Sequence, residues 1–106
     1  MSKPTIRDIQ RATCAHYGVG RADMLSALRF PYLVEPRHIA MTLSRKMTGK
    51  SLAQIADAFN RDHSMVAYAC QKIEARVIAG EASTVDALAA IEAGLAFPDH
   101  DLAEGR

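Results

Sequence analysis

The sequence predicts an all-α domain of about five to six helices built around a helix-turn-helix. Three observations carry that expectation. Apolar residues recur with helical spacing almost everywhere, and no strand-length run of Val, Ile or Thr alternates with polar residues. A chain of 106 residues, 49% hydrophobic, suits one domain with one core, which Leu, Ile, Val, Met and Ala must fill because Trp is absent. Finally, Ser51–Val66 reads as a short helix, a tight polar turn and a second helix whose first residues all form hydrogen bonds.

Pro4 to Tyr17 forms the first amphipathic helix. Ile6, Ile9, Ala12, Cys14 and His16 make an uneven apolar stripe opposite Lys3, Arg7, Asp8 and Arg11. Pro4 suits a first turn, where its missing N–H costs nothing, and Gly18 suits a left-handed cap. A short helix is expected over Arg21–Leu28. Pro31 and Pro36 then disfavour continuous helix, so Arg29–Pro36 reads as a loop. Pro36 starts a third helix to about Met47, with Ile39, Ala40, Leu43 and Met47 inward and Arg37, Arg45 and Lys46 outside. Thr48-Gly49-Lys50 closes it. Ser51 and Gln54 form a capping-box pair, the hydroxyl reaching the Gln54 amide while the Gln54 side chain reaches back. Leu52, Ile55, Ala56 and Phe59 form the buried face of this fourth helix. Asn60-Arg61 turns the chain, and Asp62 is well placed to cap a fifth helix running to about Ala79 on Val66, Cys70, Ile73 and Val77. Gly80 stops it. A last helix, about Ser83 to Leu95, is expected to turn Val85, Leu88, Ile91 and Leu95 inward. Residues 1–95 thus read as one domain with the helix-turn-helix at about 51–78, and residues 96–106 as an acidic, flexible tail.

Net charge is only +1, but its distribution is uneven. Residues 37–76 hold seven Lys/Arg against three Asp/Glu, whereas residues 77–106 hold one against six. A basic middle followed by an acidic end suggests an anionic ligand for one part of the chain. Cys14 and Cys70 belong to no Cys/His cluster and read as small buried apolar residues rather than a disulfide. His16, His38, His63 and His100 lack ligand spacing, so neither metal nor cofactor is expected. With no bilayer-length apolar run and no signal-peptide core, the expected location is the cytoplasm, on the nucleoid.

Once Val66, Cys70, Ile73 and Val77 face the core, Asp62, His63, Ser64, Met65 and Tyr68 are left at the N-terminal end of the fifth helix, just after Arg61. In a major groove Asp accepts from a cytosine amino group, His and Ser bond bases or phosphates, and Met touches a thymine methyl. Arg45, Lys46 and Lys50 are candidates to neutralise backbone phosphates. Asp62 is equally explained as an N-cap. A hydrolase reading of Asp-His-Ser fails, because adjacent helical residues fan out by roughly 100° each and cannot line up as nucleophile, base and orienter.

The segment Pro36-Arg-His-Ile-Ala-Met through Ser51-Leu, with Ile55, Phe59 and Arg61-Asp-His-Ser64, resembles the C-terminal DNA-binding domain of the bacterial replication initiator DnaA. The likeness covers about residues 5–78. It implies a Trp-repressor-like helical domain that reads a short box in double-stranded DNA and acts as a bacterial regulator of replication or transcription. It also implies that Asp62, His63, Ser64 and Met65 meet the major groove, that Arg29 enters the minor groove, and that Arg45 contacts phosphate with Arg37 and Lys50 as companions. Three departures bear on which bases are read. Phe59-Asn60-Arg61 is one residue shorter than the family's turn, Met65 replaces a Thr, and the loop at Phe30, Tyr32, Leu33 and Val34 is apolar, with Glu35 where the family is basic. No G-x-x-x-x-G-K-[ST] loop occurs, so a reading head without ATPase activity is expected rather than an enzyme. The alternative is a protein-interaction module on the same scaffold, using the apolar loop 30–34 to hold a partner or a second copy. A third possibility concerns the acidic end, which has the charge to fold over the basic face as a DNA mimic. Deleting residues 96–106 should then raise affinity for duplex DNA in a titration, and unchanged affinity would end that idea.

Overall fold

Every residue from Pro36 to Met41 is buried on the helix Val34–Thr48 (α3), which the other elements surround. The computed structural model describes residues 3–96. In chain order they form α1 (Ile6–Tyr17), α2 (Arg21–Leu25), a 3-10 turn (Pro31–Leu33), α3, α4 (Leu52–Phe59), α5 (His63–Ile78) and α6 (Ala82–Ala96). No strand occurs among the described residues. α3 packs chiefly on α5 and α1, α4 closes against α5, and α6 lies along α1 with a lighter contact on α5. The core between them includes Ile9, Ile39, Leu43, Ile55, Phe59, Val66 and Ile73, all essentially inaccessible to solvent. Cys14 and Cys70 are buried free thiols, as the absence of any cysteine cluster implies.

Local chemistry sets the helix ends. The helix α1 begins at Ile6, two residues later than the expected start at Pro4. Thr5 is its N-cap, and Thr5 and Asp8 exchange the two hydrogen bonds of a capping box. Gly18, at φ 69°, ends it, with the Val19 N–H bonded to the Cys14 carbonyl. α3 starts at Val34 rather than Pro36, because the 3-10 turn runs straight into it. Pro36 is therefore its third residue, where a missing N–H still removes no intrahelical bond. α2 stops at Leu25, three residues short of expectation.

Three expected core positions are not core. Val77 and Val85 are each about two-fifths exposed, and His16 is exposed. α6 meets α5 only lightly, so Thr84, Ala87 and Ile91 form its buried side instead. The expected acidic tail lies outside the described residues from 97 onward.

The largest correction concerns Arg37, expected outside and facing phosphate. It is 7% exposed. Its Nε donates to the Met24 carbonyl at 2.8 Å, Nη1 to Leu28 at 2.7 Å, and Nη2 to Asp23 at 2.9 Å and Ser26 at 3.0 Å. α2 is too short to satisfy its own last carbonyls, and the guanidinium fork collects them. Burial and the nearby Arg61 pull its pKa below the usual arginine value, and the carbonyl dipoles hold the charge in place. Arg37→Ala should lower stability by about 3 kcal/mol in urea titration, since several bonds to a charged donor are lost together. Arg37→Lys should recover only part of it, because one ammonium cannot span four carbonyls.

Candidate nucleic-acid interface

The capping box read from Ser51 and Gln54 is present: the Ser51 hydroxyl accepts from the Gln54 N–H at 3.1 Å, and the Gln54 side chain accepts from the Ser51 N–H at 3.0 Å. It starts α4 on a face made of Ile55, Ala56 and Phe59. Asn60 ends the helix in the left-handed conformation at φ 56°, the one non-glycine residue at positive φ among those described. Its N–H bonds the Asp57 carbonyl at 3.2 Å and the Arg61 N–H the Ala56 carbonyl at 2.9 Å, a Schellman arrangement. One left-handed residue thus reverses the chain, and the turn closes in Asn60-Arg61-Asp62. Asn60 Nδ2 also donates to the Leu25 carbonyl at 3.3 Å.

Asp62 holds the N-cap position of α5 by its backbone, yet its side chain makes no capping hydrogen bond. The expectation that it caps the helix is not met, and the carboxylate is exposed instead. His63, Ser64 and Met65 follow, all exposed. The first intrahelical bonds come from the N–H groups of Met65 and Val66 to the Asp62 carbonyl, so the amides of His63 and Ser64 face outward unshared within the helix. Val66, Ala69, Cys70 and Ile73 bury the opposite side, leaving Ser64, Tyr68 and Lys72 along one outer ridge. Tyr68 is half exposed, and the Lys72 ammonium lies 5.8 Å from its ring centroid. Lys72 was not singled out from sequence, although its spacing of four from Tyr68 and eight from Ser64 is the signal that finds it.

Arg29 is exposed in the loop before the 3-10 turn. It lines a groove of about 470 Å³ with Leu28, Val34, Arg61 and Met65, so loop and α5 border one concavity. Arg61 is only partly available to a ligand. Its Nη2 donates to the Ser26 carbonyl at 2.7 Å and its Nη1 to Asn60 at 3.1 Å, tying the turn to the loop. Glu35 does not oppose an anion as its charge suggests. Tyr17 donates to it at 2.7 Å, which together with burial drives the phenol pKa up, and Arg76 pairs with it at 3.4 Å. Arg45 and Lys50 are exposed at the end of α3, whereas Lys46 beside them is paired with Glu92 of α6 at 3.1 Å. The structure therefore brings Arg29, Arg61 and Met65 to one groove, while Asp62, His63 and Ser64 stand exposed at the start of α5 between Arg61 and Met65. It takes Arg37 out of the set and compensates Lys46.

A family model described as the bacterial dnaA protein helix-turn-helix matches residues 6–73, from the start of α1 into α5. The chain is 44% identical over 71 residues to the chromosomal replication initiator protein DnaA of Buchnera aphidicola subsp. Baizongia pistaciae (strain Bp). That alignment covers 66% of this chain, which spans about one-sixth (16%) of the relative's length. No helix among the described residues is long and apolar enough to cross a membrane, and no cluster of His, Cys, Asp or Glu there could hold a metal ion.

Beneath the ridge lies His38, its ring edge-on to Tyr68 with centroids 5.8 Å apart. Burial lowers its pKa, and the cations Arg76 and Lys72 lower it further. The folded state therefore keeps His38 neutral at a pH where the unfolded chain already takes a proton. Its contribution to stability is present above its ordinary pKa near 6.5 and is lost as pH falls below it. Denaturant midpoints measured down to about pH 5 should drop, and His38→Gln should flatten that slope.

Proposed function

From the chain's membership of the bacterial DnaA helix-turn-helix family, we infer that it binds double-stranded DNA with a sequence preference related to the DnaA box. The observation that carries this reading is the outward-facing start of α5. It combines two amides unshared within the helix, an uncapping Asp62 carboxylate and exposed His63, Ser64 and Met65. A helix N-terminus of this kind accepts a phosphate while its side chains reach base edges in the major groove.

In this reading Asp62 accepts from a cytosine amino group, His63 and Ser64 bond base edges or phosphate, and Met65 lies against a thymine methyl. Tyr68 and Lys72 continue along the groove wall, with Lys72 on phosphate. Arg29 reaches the neighbouring minor groove. Arg45 and Lys50 neutralise backbone phosphates, with a smaller share from Lys46, whose charge Glu92 offsets. Arg61 acts mainly by holding the loop against the turn. The chain's sequence has no phosphate-binding nucleotide loop, so the activity proposed is recognition on the nucleoid, regulatory in replication or transcription, without ATP hydrolysis.

Selection from a random duplex pool should enrich a short motif. His63→Ala and Arg29→Ala should each weaken that site by about 1–3 kcal/mol, with less effect on unrelated duplexes. Arg45→Ala and Lys50→Ala should weaken all duplexes alike and each flatten the salt slope by about 1. Failure to enrich any motif, with salt-insensitive residual binding, would overturn the reading.

A further inference from the structure

The loop carries an element that a purely basic minor-groove contact does not need. Phe30 is 49% and Tyr32 56% exposed, and their rings stack side by side with centroids 5.7 Å apart at 15°. The pair is rigidly mounted. Pro31 between them opens the 3-10 turn, Leu33 anchors it fully buried, and Arg37 holds the Leu28 carbonyl just before. Leu28 and Val34 extend the patch on either side.

Its rim is cationic. Arg29 is adjacent in sequence, and the groove it lines with Val34, Arg61 and Met65 leads from this loop to the start of α5. Glu35, the one carboxylate between Leu28 and Pro36, is occupied by Tyr17 and Arg76. Size argues against a second copy of this chain as the occupant. Two half-exposed aromatic rings and two aliphatic side chains offer a few hundred Å², whereas a stable interface takes about 800 Å² from each partner. A small rigid apolar plate with a positive rim, continuous with a DNA-reading helix, fits the minor groove, where side chains of this kind part base steps and bend the duplex.

We propose that the Phe30–Tyr32 pair is a wedge that enters the minor groove beside Arg29, unstacks one base step and bends the duplex towards α5. This rests on the duplex-DNA reading above. The test uses the whole chain and duplexes that it enriches from a random pool, with 2-aminopurine placed at each position in turn. Fluorescence should rise at one step flanking the major-groove footprint, and the duplex should migrate as bent. Phe30→Ala with Tyr32→Ala should abolish the rise and the bend and cost about tenfold in affinity, within what aromatic–base stacking contributes, while leaving the salt slope unchanged. If the double variant does not fold, Tyr32→Ala on the more exposed ring should lose most of the same rise.

Salt-dependent binding with no 2-aminopurine response at any position would overturn the wedge and leave the DNA reading standing. Absence of salt-dependent binding to any duplex would overturn that reading itself. A concentration-dependent dimer that dissociates in the double variant would assign the pair to a second copy of this chain, and the wedge would again fall.

Discussion

The Ser26 carbonyl receives two guanidinium groups, Arg37 from α3 at 3.0 Å and Arg61 from the turn of the helix-turn-helix at 2.7 Å. Around it Arg37 gathers the carbonyls of Asp23, Met24 and Leu28. The placement of the loop beside the helical turn follows from this gathering of backbone oxygens. A five-residue helix followed by a proline-bearing loop cannot satisfy its own carbonyls, and a buried planar cation supplies donors in several directions at once. The two cations lie close enough to disfavour each other, and that cost is offset only because each is surrounded by oxygen dipoles. The loop bearing Arg29 and the aromatic pair is thereby held against the start of α5.

Much of this was legible in the residues, and the parts that were not have a common cause. Ser51 with Gln54 identified the start of α4, and Asn60-Arg61 identified the turn, because capping and left-handed conformations are chemistry within a few residues. The exposed His63, Ser64 and Met65 followed from placing Val66 and Ile73 in the core. Arg37 was misplaced because a long side chain's direction depends on which carbonyls lie unsatisfied in another segment, information no local pattern holds. The same reason separates Lys46, turned to Glu92 across 46 residues, from Arg45 beside it. Val77 and Val85 failed differently. Their helices cross lightly, and in an alanine-rich α6 the periodicity does not distinguish the side bearing Val85 from the side bearing Thr84 and Ala87.

Asp62 shows how a residue's local and tertiary roles can part. Its sequence position is that of an N-cap and its backbone takes the N-cap conformation, yet the carboxylate does not bond the helix. A capped terminus would have spent both the side chain and an amide on internal stability, typically about 1 kcal/mol. Leaving them unspent forgoes that stabilisation in exchange for a corner with an acceptor and donors facing solvent.

Because two arms of one carbonyl clamp hold the loop and the helical turn, those two parts cannot slide independently. The domain behaves as a caliper of set opening rather than as a pair of fingers on a flexible string. In the reading proposed above, where Arg29 and the start of α5 both meet the duplex, such an instrument would measure a distance along its target as well as the chemistry at either jaw. A target with the right letters at the wrong separation would then be refused, even though each jaw alone would find a match.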